Sequence, residues 1–450
     1  MNLFSLQFLL LPLLLFLYLL IPEKNQSIRK LFLLVASLGI YISWRPISVL
    51  FMIWVAGISY SGGLLLRKRH PNRLFIWALV LLILAPLCFL KIRPVIYPTA
   101  SLFFPVGLSF YTLQALGYLF DVYRDKIEPV HDALDYSLFI GFFPQISSGP
   151  ISRASNLIPQ LSAPPRPSSV DIGSGLRMIV MGAALKLVVA DRLGLSVDAI
   201  FGNFQHYSGA DCLLAVVLYS FQLYADFSGY SLIAIGGARC FGIRLIDNFR
   251  QPYLAAGIGD FWRRWHISLS QWLRDYVYIP LGGNRCSSLR CHFNILITFL
   301  VSGLWHGVAW NFIFWGLFLG LGSMFEKAVK WNDFVSAHHR FRWASRALTF
   351  IIICFSWIFF RSPSIPFFGD FIRHSFADFG SLSLPDIGGA TIVMWVMGIL
   401  LVVMRDFYLE FKPLNHRVHP VWGAVECSVL IALILAFGVL NGGQFIYVNF

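Results

Sequence analysis

The chain is patterned as long apolar runs divided by short polar segments. The runs at 3–21, 31–44, 47–66, 74–90, 101–120, 174–190, 212–236, 348–360, 388–404 and 422–440 carry few or no charges. A helix needs ~20 apolar residues to cross a hydrocarbon core of ~30 Å. Several runs are shorter than that, so some helices are expected to be sheltered by protein rather than to cross upright. The first run has no basic residue before it and no small-residue cleavage site, whereas Lys24, Arg29 and Lys30 follow it. It reads as a retained anchor, not a signal peptide. The pattern as a whole predicts an all-α polytopic membrane protein of about 10–12 membrane helices, including re-entrant and interfacial ones.

Two stretches depart from simple crossing helices. Apart from His292 and His306, residues 291–324 have no ionisable side chain but cysteine. These residues would make a helix of ~50 Å, too long for one crossing, yet would supply only ~25 Å per leg as a hairpin. A re-entrant or broken pair of helices is expected, with Gly303, Trp305 and Gly307 near the turn and His306 deep in the protein. Irregular backbone at that depth needs a cavity lined by protein.

The second stretch, 259–283, reads GDFWRRWHISLSQWLRDYVYIPLGG. On a helical wheel Phe261, Trp262, Trp265, Leu269, Trp272, Leu273 and Tyr276 share an arc of ~120°, with Arg263, Arg264 and Arg274 outside it. This predicts one interfacial helix in the headgroup plane, with Asp260 as N-cap and Pro280, Gly282 and Gly283 ending it. His266 falls at the margin of the apolar arc, neither fully wet nor fully buried.

Composition sharpens this picture. With 57% hydrophobic and 13% charged residues and a mean hydropathy of +0.70, the chain has lipid as its natural solvent. The net charge of +13 would suggest nucleic acid, but threading the chain with its N-terminus outside puts most Lys and Arg on the cytoplasmic side. Positive-inside topology accounts for them, and nucleic-acid binding is set aside. The largest cytoplasmic element is then the loop 239–290. The seven cysteines form no CxxC pair, so neither a disulfide framework nor a metal site is indicated.

The candidate chemistry rests on histidine. An imidazole at membrane depth is costly and usually faces a pathway where it acts, and it is the side chain best matched to taking a hydroxyl proton near neutral pH. Other readings stay open. His266 is equally an amphipathic side chain reaching for water, and His306 a buried ring bonded to a helix carbonyl. Arg263 and Arg264 beside tryptophans are either interface anchors for lipid headgroups or phosphate contacts. Asp226, the only acidic residue in the run 212–236, is expected to cap or pair internally, with Ser228, Tyr230 and Ser231 as nearby hydroxyls.

The segment QLYADFSGYSLIAIGGARCFGIRLIDNFRQPYLAAGIGDFWRRWHISLSQWLRDYVYIPLGG at 222–283, followed by SGLWHG, resembles the membrane-bound O-acyltransferases, and among them the bacterial alginate O-acetyltransferase subgroup. FPVGLSFYTLQALGYLFDVYR at 104–124, FFPQISSGPISR at 142–153 and FIYVNF at 445–450 agree with it. The resemblance implies a single membrane domain over 1–450. N-terminal helices occupy 1–120, a catalytic core 121–346 holds the loop 239–290 and the hairpin 291–324, and C-terminal helices fill 347–450. It implies a ring of helices around a tunnel in the bacterial inner membrane, with the N-terminus outside.

The same resemblance implies that the family's catalytic histidine falls at His306 and its second, more variable motif position at His266. Arg263, Arg264, Arg274 and Trp265 become candidates for binding the donor; Asp226, Trp305 and Tyr230 become structural or tunnel residues. No bound cofactor or metal is implied. An acyl group, acetyl favoured, would pass from acetyl-CoA or an acyl carrier protein to a hydroxyl of an exported polysaccharide, or to a secreted SGNH-type partner. No GxSxG motif occurs and no cysteine adjoins either histidine, which favours direct transfer over an acyl-enzyme. The alternatives are a transporter or channel using His306 and Asp226 as a proton relay, and a non-catalytic conduit for acyl groups or lipid.

Overall fold

A computed structural model describes residues 3–68, 73–96, 103–146, 149–385, 387–411 and 420–439. The FIYVNF motif at 445–450 lies outside them. The described residues form helices, turns and irregular segments, with no β-strand among them. Eight helices among them are long and apolar enough to cross a membrane. A ninth arises if Trp310–Ala328 and Trp331–Ala337, bent by 55°, count as one, and Leu10–Leu20 and Val421–Phe437 are shorter apolar helices. The chain divides into two interleaved compact units. One holds the described residues of Met1–Ile179 and Ser231–Asp247, the other those of Val180–Tyr230 and Asn248–Ile446.

The first unit contains α1 (Leu3–Leu20), α2 (Gln26–Trp44), α3 (Ser48–Lys68), α4 (Arg73–Ile96), α5 (Leu108–Tyr123), α6 (Ala133–Gly141), α7 (Phe143–Ile146), α8 (Ala154–Ser162) and the start of α9 (Ser169–Ala184). Almost every residue of α5 is buried. The sequence suggested a membrane crossing over 101–120, but the helix begins only at Leu108. Gly107 precedes it at φ 76°, and a Cβ there would stand 2.0 Å from the Ile146 carbonyl oxygen. That tight passage, open only to glycine, turns the preceding apolar residues out of the helix.

The motifs at 104–124 and 142–153 therefore meet as packing partners. Gln114 and Gln145 both donate to the buried Phe139 carbonyl, at 2.8 and 3.2 Å. Two cations that follow the first apolar run are also buried here. Arg29 donates to the Ile21 and Pro164 carbonyls, and Lys30 pairs with Asp132 at 2.8 Å and Asp135 at 2.7 Å. A buried charge persists only with such partners.

In the second unit the end of α9 passes through a π-helical turn, Leu185–Ala190, into α10 (Asp191–Gly202), so that Ser169–Gly202 is one apolar path. Next come α11 (Gly209–Cys240), α12 (Ile258–Arg264), α13 (Ile267–Leu273), α14 (Ser288–His306), α15 (Trp310–Ala328) and α16 (Trp331–Ala337). The chain then runs through α17 (Arg342–Arg361), α18 (Ile365–Ala377), α19 (Gly389–Glu410) and α20 (Pro420–Phe437). α14 and α15 form the hairpin expected from 291–324, turning at 307–309. Each leg has 19 residues, about 28 Å at 1.5 Å per residue, longer than the stretch free of charge supplied. The legs approach closely at glycine: a Cβ on Gly303 would meet the Phe312 carbonyl oxygen at 2.3 Å, and one on Gly316 that of Phe299 at 2.5 Å.

The stretch 259–283 corrects the expectation of one interfacial helix. It is two short helices, α12 and α13, broken at Trp265–His266 and followed by a π turn, Arg274–Tyr278. Phe261, Trp265, Leu269, Trp272, Leu273 and Tyr276 are buried in protein, so the apolar arc faces a core and not a headgroup layer. Helical periodicity continues in phase across the break, which is why the wheel did not show it. The N-cap of α12 is Gly257. Asp260 instead accepts from the Ala256 N–H at 3.2 Å and from Arg264 at 3.1 Å.

Candidate active site

The break between α12 and α13 is built by Asn248. Its carbonyl accepts the Ile267 N–H at 2.9 Å, and its Oδ1 accepts the Ser268 hydroxyl at 2.9 Å and the Ser268 N–H at 3.3 Å. The Arg250 N–H donates to the Arg264 carbonyl at 2.9 Å. Groups that lose their helical partners at the break thus find others, as buried backbone must. His266 sits at the break with φ 41°, ψ 54°, a left-handed conformation uncommon for a residue with a Cβ. Such backbone persists only where its surroundings hold it, and it clusters at functional sites.

His266 is not marginal, as the wheel had it, but 1% exposed. Its ring meets Phe227 edge-on at 4.7 Å and lies 5.8 Å from Trp305. Burial pushes its pKa down to about 3, so the imidazole is neutral near pH 7. His306 ends α14, 4% exposed. Its ring is packed by Trp305 at 4.8 Å, Trp315 at 5.1 Å and Phe360 at 5.1 Å, with Phe312 at 6.4 Å. Trp305 therefore touches both histidines and joins them in one aromatic cluster.

Beside this cluster lies a cavity of about 540 Å³ between α12–α13 and the α14–α15 hairpin, within the range of roughly 300–1,000 Å³ usual for small-molecule sites. Its lining joins exposed cations, Arg263, Arg274, Lys327 and Lys330, to the partly or fully buried Trp262, Phe299 and Ser302. Trp262 meets Phe299 and Trp315, each at 5.7 Å, and Trp315 in turn meets His306. Neither histidine lines the cavity; the tryptophan pair stands between it and His306. α12 is tied to α15 by the Glu326 carboxylate, which accepts the N–H groups of Ile258 and Gly259.

The structure separates the other candidates into two groups. Arg263 and Arg274, with side chains 67% and 59% exposed, line the cavity. Arg264 instead pairs with Glu410 at 2.8 Å and Asp260 at 3.1 Å, and Glu410 also holds Arg346. Trp265 is 1% exposed and packs on Phe261, Phe249 and Trp357. Both hold the fold around the break, and neither lines the cavity.

Asp226 pairs with Lys186 at 2.8 Å, and Lys186 also binds Asp191 at 2.7 Å. The Lys186 ammonium lies 5.3 Å from the Tyr230 ring centre. The acid therefore pairs with a buried cation that the sequence reading did not name. Lys186 belongs to the π turn, a local defect that sequence periodicity does not reveal. Among the described residues no three His, Cys, Asp or Glu side chains group as metal ligands.

Comparison with known proteins gives this arrangement its class. The model of MBOAT, the membrane-bound O-acyltransferase family, matches residues 125–365, which contain both histidines and every residue that lines the cavity. The chain belongs to that family, and is a multi-pass membrane protein and an O-acyltransferase.

It is 33% identical over 433 residues to a probable alginate O-acetylase AlgI of Pseudomonas aeruginosa, covering 89% of this chain and 81% of the relative. It is 33% identical over 387 residues to a peptidoglycan O-acetyltransferase of Helicobacter pylori, covering 76% and 72%. To a teichoic acid D-alanyltransferase of Bacillus subtilis it is 28% identical over 335 residues, covering 69% and 83%.

Proposed function

We propose that this O-acyltransferase moves an acetyl group from a cytoplasmic thioester, acetyl-CoA or an acyl carrier protein, to a hydroxyl of an exported cell-surface polysaccharide. Delivery is direct or through a secreted SGNH-type partner. The chain sits in the bacterial inner membrane with its N-terminus outside, which leaves the basic mouth of the cavity on the donor side. The observation that carries this reading is the position of His306: buried at the end of α14 and separated by Trp315 and Trp262 from a cavity whose exposed rim carries four cations against Asp333.

His306 is the general base. It takes the proton of the acceptor hydroxyl as that oxygen attacks the thioester carbonyl; the carbon–sulfur bond breaks, and the departing thiolate takes that proton back from the imidazolium and leaves as the thiol on the donor side. Such proton transfer contributes about 10²–10⁴ in rate, and exclusion of water limits hydrolysis of the thioester. His266 does not touch the donor. Neutral, and in contact with Trp305, it is a positioning residue that fixes the indole against which His306 rests. Arg263 and Arg274 meet the phosphates of the donor.

The test is acetyl transfer by the purified protein in lipid nanodiscs, with a polysaccharide or a generic alcohol as acceptor. His306→Gln is expected to lose at least ~100-fold in kcat while keeping its thermal unfolding temperature and its donor affinity. A folded His306→Gln protein with undiminished transfer would remove the mechanism.

A further inference from the structure

The thiols of Cys286 and Cys291 lie 3.1 Å apart, a pairing that a spacing of five residues conceals. Both converge on one acceptor. Cys286 Sγ and Cys291 Sγ each donate to the Gly283 carbonyl at 3.3 Å, and Asn294 Nδ2 donates to it at 3.3 Å. The next residue, Asn284, is a strut of the cavity mouth. Its Oδ1 accepts the Tyr278 hydroxyl and the Lys327 ammonium, both at 2.7 Å, and all three residues line the cavity. The turn that joins the thiols to this strut is set by Gly282 at φ 117° and Gly283 at φ 54°. Side chains other than glycine rarely adopt such backbone, so these two glycines define the turn.

We propose that Cys286 and Cys291 form a reversible thiol–disulfide site, oxidised by a small disulfide of the glutathione class, whose state sets the shape of the cavity mouth. Cys286 is partly exposed and Cys291 buried, which orders the chemistry. The Cys286 thiolate attacks one sulfur of the oxidised glutathione, the glutathione S–S bond breaks, and one glutathione thiolate leaves. The Cys291 thiolate then attacks Cys286 Sγ and displaces the second glutathione. Two electrons pass from the protein thiols to glutathione, whose two thiolates take up the two protons.

Bonding brings the sulfurs to ~2.05 Å, a closure of about 1 Å from the reduced separation. It also removes both S–H donors from the Gly283 carbonyl. The 283–286 turn is drawn toward α14, and Asn284 shifts relative to Lys327.

The experiment uses the full chain in nanodiscs, reduced or equilibrated with oxidised glutathione, then alkylated and digested with trypsin. Cleavage after Arg285 and Arg290 separates the cysteines, so the bond appears as two linked peptides that dithiothreitol releases. Two readouts follow in the same samples. Labelling of Lys327 by an amine-reactive ester is expected to change at least ~3-fold, as is the KM for the acyl donor, a difference equivalent to about 0.65 kcal/mol or more. Cys286→Ser and Cys291→Ser should abolish both responses and keep the reduced-state values.

No linked peptide at oxidising glutathione ratios overturns the site. A linked peptide with unchanged Lys327 labelling overturns its coupling to the mouth. The peptide and labelling readouts do not depend on which donor the enzyme uses, so a wrong donor assignment would disturb the KM arm alone.

Discussion

The Trp315 indole meets the His306 imidazole edge to face, ring centres 5.1 Å apart and planes at 88°. Trp315 is fully buried, and on its other side stands Trp262, which lines the cavity. The proposed base and the space open to a donor are thus divided by two tryptophans, of which only Trp262 faces that space. An acyl group reaching His306 from the cavity must displace or pass Trp262, whose indole limits the length of chain that fits.

Trp262→Ala is therefore expected to relax acyl-chain selectivity. Octanoyl relative to acetyl thioester should gain about tenfold or more in kcat/KM, since each methylene in an apolar pocket is worth ~1–3 kcal/mol. Single-turnover transfer with a series of acyl chain lengths checks this. An unchanged length profile in a folded variant would show that the acyl group reaches the base by another path.

The burial of His266 makes a prediction about stability and pH. Its folded pKa is held at about 3, against an ordinary 6.5. Below pH ~6.5 the unfolded chain therefore takes up a proton that the folded chain refuses, and stability falls as pH drops toward 3, by up to ~1.4 kcal/mol per pH unit. His266→Asn removes this term, and asparagine tolerates the left-handed backbone at the break. Its unfolding temperature should fall less steeply than that of the wild type between about pH 6.5 and pH 4.5, with transfer reduced about tenfold at neutral pH. Parallel pH slopes for the two proteins would place the ring in contact with water.

The class of fold and the burial of His306 were legible because they rest on signals the chain carries locally: long apolar runs, and an ionisable ring set deep within one; the burial of His266 was not. The helical pair over 291–324 followed from length, but helix continues past the last uncharged residue to include Arg290 and Lys327, so that α14 is long and apolar enough to cross a membrane where a re-entrant leg was expected. What stayed hidden depended on partners distant in sequence. Asn248 makes the break at His266, yet lies 18 residues before it. The cation for Asp226 is Lys186, on another helix, and the anion for Arg264 is Glu410, on α19. The proximity of Cys286 and Cys291 comes from a turn that two glycines set, and no spacing rule anticipates it. A helical wheel assumes one continuous axis, so it merged two buried helices into one exposed amphipathic one.

The arginines of the WRRW segment are adjacent in sequence and are expected to fail in opposite ways. Arg263 is exposed on the rim of the cavity, whereas Arg264 bridges Glu410 and Asp260 with a side chain only 18% exposed. Changing Arg263 and Arg274 together to Gln removes two exposed charges that are proposed to meet donor phosphates. Donor KM should rise about tenfold at low salt, with the difference shrinking as ionic strength approaches ~1 M, where the screening length is ~3 Å, and the unfolding temperature should hold. Arg264→Gln leaves Glu410 short of a charged donor inside the protein, a loss of about 1–3 kcal/mol, seen as a lowered unfolding temperature with little change in donor KM for the fraction that remains folded. Steady-state kinetics across a salt series, paired with thermal unfolding of the same preparations, separates the two roles. A raised KM with intact stability in Arg264→Gln would instead place that guanidinium, and not its neighbour, at the donor.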